Sequence, residues 1–509
     1  MKNTVAKSSL IIAFFFGINK VLSFVRQLFV AREFALSYEL DVFNAANNIP
    51  DLLSALISGG ALAVAIIPVL TDYLEKKNRK EAWRLFSNIL NLAFIATTLL
   101  AVVLYIFSPA FITKVIVPGF PAEQQELAIE LMRLDLVAII IFSISGLFMA
   151  GLQANRHFLF PAIAPAMYSL GQIFGVAILA PTAGYTLLGI TFPAFGLGIH
   201  GLVYGVIIGA SLHLLIQVPG LIQHGFYWEP RFRLRSDGVK QVLTLLGPRV
   251  LTVFFIQMFF IIRDNLASGM GEGAVTALNL GWFIMQVPES LVGTALGIAI
   301  LPSISAAISQ GNEDNFKNGI NASIRALISM TLPIAVLLSI GLFPLTEFAF
   351  DYSPEDTQRV VIASQVYLAG MVGHVLLEIA SRAFYAKQQP KVPLIASGLN
   401  AISYLIISLL LANWLGFAGI AWANSIVFTT QAIILLIVLN RQHKGILAIR
   451  KAFVRVVIST AIVGTTFYFF LNNVSISTPL IRSVLGMGFS ILAVTGVMWK
   501  EIKPILKLT

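Results

Sequence analysis

The sequence predicts an all-α integral membrane protein with about fourteen transmembrane helices. Hydrophobic residues make up 57% of the 509 positions and charged residues only 11%, whereas soluble domains carry about 25% charged residues. Apolar windows of about 18 or more residues recur along the chain, and each is long enough to cross the hydrocarbon layer. Because that layer contains no water, helices are the structure that satisfies the backbone of such windows.

The predicted spans follow one another from the N-terminus with short connections. We place them at about 8–31, 40–73, 85–107, 125–153, 158–182, 193–221, 239–268, 274–308, 319–345, 358–386, 392–413, 416–440, 451–471 and 479–499. The first continues past Lys20 and Arg26 without a small-residue cleavage site, so it is predicted to be a permanent helix.

The second and eighth predicted spans are longer than a membrane crossing needs. They contain Pro50 and Pro288, and a proline interrupts the helical hydrogen-bond ladder. We predict hinges at these two prolines and at Gly59 and Gly60, with close helix packing as the alternative role of the glycines.

The orientation follows from the positions of the basic residues. With the N-terminus in the cytoplasm, the cytoplasmic connections and both termini hold most of the Lys and Arg, and the external connections keep only Arg32, Lys114, Arg359 and Arg482. This asymmetry is the positive-inside pattern, so both termini are predicted to be cytoplasmic. The net charge of +10 is therefore assigned to topology and to anionic membrane lipids, and no nucleic-acid partner is predicted.

The longest polar stretch predicts a joint between two halves of the chain. We expect an N-terminal lobe of six helices at 1–222, a cytoplasmic linker at 223–238, a second six-helix lobe at 239–445 and a C-terminal helix pair at 446–509. Weak internal similarity, such as Lys20-Val-Leu-Ser-Phe against Arg249-Val-Leu-Thr-Val, predicts lobes related by a pseudo-two-fold axis. In transporters built from such repeats the substrate site lies between the halves.

Charged residues inside the predicted spans are the candidates for function, because a charge in hydrocarbon costs a few kcal/mol or more. The candidates are Lys20, Arg26, Asp41, Arg133, Asp135, Arg249, Arg263, Asp264, Arg325 and Glu378. Basic members outnumber acidic ones, which suits an anionic cargo such as a pyrophosphate. Fourteen residues separate Arg249 from Arg263, so both return to one face of the seventh helix, about 21 Å apart.

Several of these candidates have structural alternatives. Interfacial snorkelling is an equal alternative for the Arg263–Asp264 and Arg133–Asp135 neighbours, and Arg325 is favoured as an anchor near the cytoplasmic surface. His374 and Glu378 lie four residues apart, as a proton or cation site would require, but a structural hydrogen-bonded pair is the favoured interpretation.

The sequence lacks the signatures of an enzyme. It contains no cysteine, no phosphate-binding Walker loop, no metal-spaced His/Glu cluster and no nucleophile elbow. We therefore predict neither catalytic activity nor a cofactor.

Strings spread over helices one to eleven resemble the lipid II flippase family of peptidoglycan synthesis, MurJ/MviN, within the multidrug/oligosaccharidyl-lipid/polysaccharide exporter superfamily. They occupy 20–26, 41–53, 60–62, 67–70, 117–120, 152–165, 293–305 and 384–393. The resemblance implies fourteen helices in two lobes, a central cavity, and alternating access. It also implies flipping of a polyprenyl-linked sugar pyrophosphate across the bacterial cytoplasmic membrane.

The family's functional residues carry over in part. Its basic pair on helix one falls on Lys20 and Arg26, and its acidic residue at the start of helix two falls on Asp41. Two basic positions and one acidic position of the family are replaced, by Ser54, Phe283 and Gly59.

These replacements thin the cationic cavity that the resemblance implies. Our hypothesis is that Arg249 and Arg263 supply the displaced charge. The energy for transport comes either from the membrane potential or from the gradient of a coupled monovalent cation. The alternatives are a flippase for another lipid-linked oligosaccharide, a cation-coupled drug exporter, and a membrane scaffold that transports nothing.

Overall fold

The computed structural model describes residues 2–57, 61–187, 190–474 and 478–503. Within these residues, twelve helices are long and apolar enough to cross a membrane. The predicted second and eighth spans appear instead as series of shorter helices. The predicted class, a helical membrane protein, is confirmed.

The chain divides into two compact units, Met1–Glu272 and Gly273–Thr509. In the first unit the helices are α1 (Lys2–Phe34), α2 (Tyr38–Ala46), α3 (Asn48–Ile57), α4 (Ala61–Lys76), α5 (Arg79–Phe111), α6 (Ala122–Ala154), α7 (Leu159–Phe174), α8 (Ile199–Leu215), α9 (Val218–Gln223) and α10 (Asp237–Ala267). Short π-helical segments follow α5 (Ile112–Ile116) and α7 (Gly175–Leu179). Strands β1 (Tyr185–Leu187) and β2 (Ile190–Phe192) pair antiparallel between α7 and α8.

The second predicted span is broken close to its proline. The hydroxyl of Ser37 caps α2 by accepting a hydrogen bond from the Leu40 backbone N–H at 3.4 Å. Asn47 separates α2 from α3, and Pro50 lies in the first turn of α3, where a missing N–H costs no hydrogen bond. The break therefore precedes the proline. Gly59 and Gly60 lie outside the described residues.

Helices α7 and α8 pack closely against each other where glycines face glycines. A Cβ atom on Gly171 would lie 2.3 Å from the Gly209 Cα, and one on the following π-helical segment at Gly175 would lie 2.6 Å from the Gly205 Cα. Small residues spaced by four let two helix backbones touch in a membrane. This close contact fixes the position of α7, which carries part of the site described below.

The predicted linker at 223–238 is an ordered strap along α5. Asn91 donates to the backbone carbonyls of Glu229 at 2.8 Å and Arg231 at 3.0 Å, and it accepts a hydrogen bond from the Trp228 indole at 2.8 Å. Asn88 donates to the Arg233 carbonyl at 2.8 Å. Asparagine side chains on an otherwise apolar helix thus satisfy the backbone carbonyls of the strap.

Arg84 on α5 and Arg231 in the strap both donate to the Glu229 carboxylate, at 3.3 and 2.5 Å. This ion cluster ties the strap to α5. Partial burial opposes ionisation of the Glu229 carboxyl, but hydrogen bonds from Arg231 and Arg84 outweigh it and lower the pKa of Glu229 below its ordinary value. The cluster is therefore formed at neutral pH and is lost as the pH falls through that lowered pKa.

The second unit contains α11 (Ala274–Glu289), α12 (Ala295–Ser309), α13 (Glu313–Phe350), α14 (Pro354–Ala386), α15 (Lys391–Leu415), α16 (Phe417–Gln442), α17 (Arg450–Asn473) and α18 (Pro479–Ile502). Helix α14 is central and packs against α11, α13 and α16. Pro288 lies in the last turn of α11, directly before a π-helical segment at Ser290–Thr294. The eighth predicted span is thus irregular next to its proline, as expected.

The C-terminal helix pair is joined to α13 by a buried acid. Arg325 on α13 and Arg455 on α17 both donate to the carboxylate of Glu501 on α18, whose side chain is 1% exposed. Two guanidinium groups offset the cost of burying this carboxylate. Arg325 therefore ties the C-terminal helix pair to α13, and its anchoring near the cytoplasmic surface stays a prediction.

Candidate functional site

The basic pair predicted on α1 divides into two different environments. The Arg26 guanidinium donates to the Gln172 side-chain oxygen at 2.9 Å, and the Gln172 amide donates to the Tyr168 hydroxyl at 3.0 Å. Lys20 is exposed, with its Nζ 5.5 Å from the centroid of the Phe16 ring. Arg26 is therefore held by α7, whereas Lys20 lies at the helix surface.

A second guanidinium is held inside the same unit by α10 and α3. Arg263 donates two hydrogen bonds to the Asp264 carboxylate, at 2.6 and 3.1 Å, and Asn48 donates a third at 2.7 Å. The Arg263 and Asp264 side chains are 5% and 0% exposed. Both residues are therefore buried, which rules out the interfacial snorkelling considered from the sequence.

Asp51 on α3 links these two groups. It interacts electrostatically with Arg26, with Arg263 and with Asp264. Asp51 keeps exposed surface in the structure. We call Arg26, Asp51, Arg263 and Asp264 the charged cluster. Its two guanidinium groups are balanced by two carboxylates.

A third carboxylate adjoins the charged cluster. Asp135 on α6 is 1% exposed, and neither of its oxygens has a hydrogen-bond partner among the described residues. It interacts electrostatically with Asp51 and Tyr168. Its sequence neighbour Arg133 points elsewhere: it donates to the Ser108 hydroxyl at 2.9 Å and lies over the Tyr105 ring. Asp135 is therefore interior and not an interfacial residue.

The remaining predicted residues are placed as follows. Asp41 is buried in the first turn of α2. Arg249 lies in α10, but its side chain is outside the described residues. Ser54 and Phe283, which stand at the replaced positions, are half-buried.

The predicted pairing of His374 with Glu378 is replaced by other contacts. Arg382 donates to Glu378 along α14, and the His374 ring shares a hydrogen bond of 3.0 Å with the Asn424 side chain on α16. His374 also stacks on Phe428, with ring centroids 4.3 Å apart. Among the described residues no group of three or more His, Cys, Asp or Glu side chains could hold a metal ion.

Sequence reasoning missed Asn48, Asp51, Gln172 and Tyr168. The stretch at 41–53 carries Asn48 and Asp51, so their polarity within an apolar span was a usable signal. Gln172 and Tyr168 are four residues apart, and nothing in that spacing identifies a partner 146 positions away.

Comparisons with known proteins agree on one family. The family model described as lipid II flippase MurJ matches residues 30–484. A lipid II flippase MurJ from Burkholderia cenocepacia is 28% identical, over 76% of this chain and 75% of that protein. A probable lipid II flippase MurJ from Rhizobium tropici is 26% identical, over 94% of this chain and 88% of that protein.

Solved structures show the same fold. A lipid II flippase MurJ in an inward closed conformation superposes with a TM-score of 0.77 at 20% identity, covering 97% of this chain and 99% of that one. An inward-facing MATE multidrug transporter of the MOP superfamily gives a TM-score of 0.70 at 16% identity, over 84% and 95%. Since the family model spans most of the sequence, this chain belongs to the lipid II flippase MurJ family.

Proposed function

We propose that this chain flips lipid II, a polyprenyl-pyrophosphate-linked peptidoglycan precursor, across the bacterial cytoplasmic membrane by alternating access. The family and its named relatives support this cargo. The observation that carries the proposal is the charged cluster, in which Arg26 and Arg263 from different helices act on one carboxylate, Asp51, which keeps exposed surface.

The charged cluster suits a pyrophosphate because guanidinium groups bind phosphate oxygens through paired, charge-assisted hydrogen bonds. The headgroup replaces Asp51 as the partner of Arg26, so the guanidinium stays compensated with and without cargo. Lys20, Asp41 and Arg249 extend this site in the proposal. The polyprenyl tail remains in lipid throughout, and no covalent step occurs.

The conformational cycle uses the broken spans. Two lobes, at 1–222 and 239–445, move relative to each other and are joined by the linker at 223–238. The hinges for this motion are at Pro50, Gly59, Gly60 and Pro288. The helix pair at 446–509 does not take part in this motion. Both termini face the cytoplasm. The driving force is either the membrane potential, which contributes about 2.3 kcal/mol per charge per 100 mV, or the gradient of a coupled monovalent cation.

The test is complementation of a bacterial strain depleted of its lipid II flippase, paired with a lipid II flipping assay in vesicles containing the purified chain. We expect growth and flipping with the natural sequence. Arg26→Ala removes a charge-assisted contact worth about 1.5–3 kcal/mol, so the flipping rate falls about tenfold or more.

Arg359→Ala is the matched control, because Arg359 lies outside the charged cluster and its partly exposed side chain donates to Glu355 within α14. It should leave growth and flipping unchanged. Flipping by Arg26→Ala at the natural rate would remove Arg26 from the site, and failure of the natural sequence to flip lipid II would overturn the proposed cargo.

Ser54 and Phe283 favour one second candidate, a flippase for another lipid-linked oligosaccharide. Both stand where the family resemblance implies basic residues. Vesicles that flip an exopolysaccharide precursor but not lipid II would select this candidate.

A further inference from the structure

Asp135 lies in the interior of α6, far from both ends of the helix. Thirteen residues separate it from the start of α6 and nineteen from its end, which places it about 20 Å and 28 Å from them. It is 1% exposed, and neither carboxylate oxygen accepts a hydrogen bond from any residue that the structure describes. An ionised carboxylate in that position would have lost its hydration without any compensating contact.

Such a carboxyl group is neutralised either by a proton or by a bound cation. A cation such as Na⁺ or Ca²⁺ needs several oxygen ligands around it. Within the part of the chain that the structure describes, neither carboxylate oxygen of Asp135 has a hydrogen-bond partner, and no group of three or more metal-binding side chains is present. A proton, unlike a metal cation, needs no oxygen ligands beyond the carboxyl group itself. The site is therefore suited to binding a proton.

One electrostatic neighbour of Asp135 opposes its negative charge. Asp51 on α3 acts on it as a like charge, and Tyr168 on α7 lies within interaction range. The neighbouring helices α2 and α8 carry the buried Asp41 and His213. The other titratable side chains on α6 and on the elements packed against it, including those at the two ends, are Tyr38, Glu39, Asp72, Tyr73, Glu75, Lys76, Arg79, Lys80, Glu81, Arg84, Tyr105, Lys114, Glu123, Glu126, Glu130, Arg133, His200 and Tyr204.

Asp51 is shared by Asp135 and the charged cluster. It acts on Asp135 and also on Arg26, Arg263 and Asp264. Any change of charge around Asp51 therefore changes the electrostatic environment of Asp135, and the effect is reciprocal because binding equilibria at two coupled sites are linked.

We infer that Asp135 is a proton-binding site in the membrane interior, coupled through Asp51 to anion binding at the charged cluster. The coupling rests on the proposed function; the proton site does not. An anionic headgroup beside Arg26 adds negative charge near Asp51, which favours the protonated form of Asp135. A proton on Asp135 in turn favours binding of the headgroup.

The proton site is tested without cargo, by infrared spectroscopy of the purified full-length protein. The C=O stretching band of a neutral carboxylic acid is expected at neutral pH and should be lost in Asp135→Asn. Asp72→Asn is the matched control, because Asp72 is an exposed aspartate paired with Lys76, and it should retain the band.

A second variant examines the coupling to Asp51. Asp51→Asn removes a like charge, so the pH at which half of the Asp135 band disappears should fall by about one unit. Absence of the band in the natural sequence, its persistence in Asp135→Asn, or an unmoved midpoint in Asp51→Asn would each overturn the inference.

The coupling to cargo is measured as the Kd of lipid II against pH. We expect the natural sequence to bind lipid II about tenfold more weakly at a pH above the infrared midpoint than below it. Asp135→Asn should keep one affinity at both pH values. Equal affinities in the natural sequence would overturn the coupling, whereas absence of lipid II binding at any pH would contradict the proposed function and leave the infrared result to decide the proton site.

Discussion

At the residue scale, charges inside the membrane are tolerated where another helix supplies the opposite charge or a polar side chain. Arg263 and Asp264 are adjacent in sequence, yet Asn48 from α3 completes the carboxylate's hydrogen bonds. Breaking a buried pair costs more than the pair contributes, because one charge stays behind in the interior. The Asp264 carboxylate should therefore be important for stability as well as for the site.

We predict that Asp264→Ala lowers the free energy of unfolding by about 3–5 kcal/mol, since the buried Arg263 guanidinium loses the carboxylate that compensates it. Chemical denaturation of the purified protein in detergent measures the loss. Asp72→Ala removes an aspartate from an exposed ion pair with Lys76 and should change stability little. Equal effects of the two substitutions would show that the buried pair has no special role.

Most charged residues of the site were predicted from the sequence, but Asp51 and the polar partners of the arginines were not. Arg26, Asp135 and Arg263 stand out because each interrupts an apolar run. Sequence spacing gave no means of choosing Gln172 for Arg26, because that contact depends on how α1 and α7 pack. Helical spacing put Lys20 and Arg26 about 120° apart on α1, but it did not show that only Arg26 would be held by α7.

At the element scale, the predicted spans and the observed helices agree where the apolar pattern is continuous. The prolines indicated irregularity in the second and eighth spans, and the structure has breaks or π-helical segments near them. The hairpin of β1 and β2 was not predicted, because three-residue strands are too short for a pattern in sequence.

The α7–α8 contact gives a prediction about helix packing. Gly171→Ala should lower the free energy of unfolding by about 1–3 kcal/mol, because its Cβ would lie 2.3 Å from the Gly209 Cα and the helix backbones must separate. Gly488→Ala on α18 is the matched control, since its Cβ would have no atom within 4 Å. The control should be neutral or slightly stabilising, because alanine favours helix. Thermal unfolding of both variants compares them, and a stable Gly171→Ala protein would refute the close contact.

At the scale of the whole molecule, the polar stretch at 223–238 indicated a joint, but polarity alone does not say which unit the next helix joins. Helix α10 packs on α3 and α4, and the compact units divide after Glu272. Packing between helices distant in sequence decides this assignment. The lobes expected at 1–222 and 239–445 remain a prediction about the transport cycle.

The distribution of Lys and Arg yields a prediction for the whole chain in its membrane. The sequence has no cysteine, so single cysteines can be introduced without removing native ones. We expect Glu123→Cys and Glu355→Cys to react with a membrane-impermeant maleimide on intact spheroplasts, and Lys77→Cys and Lys444→Cys to react only after permeabilisation. All four positions are exposed. The natural sequence serves as the unlabelled control. Labelling of Lys444→Cys from outside would reverse the proposed orientation of the C-terminal half, because the number of spans fixes the side on which every later connection lies.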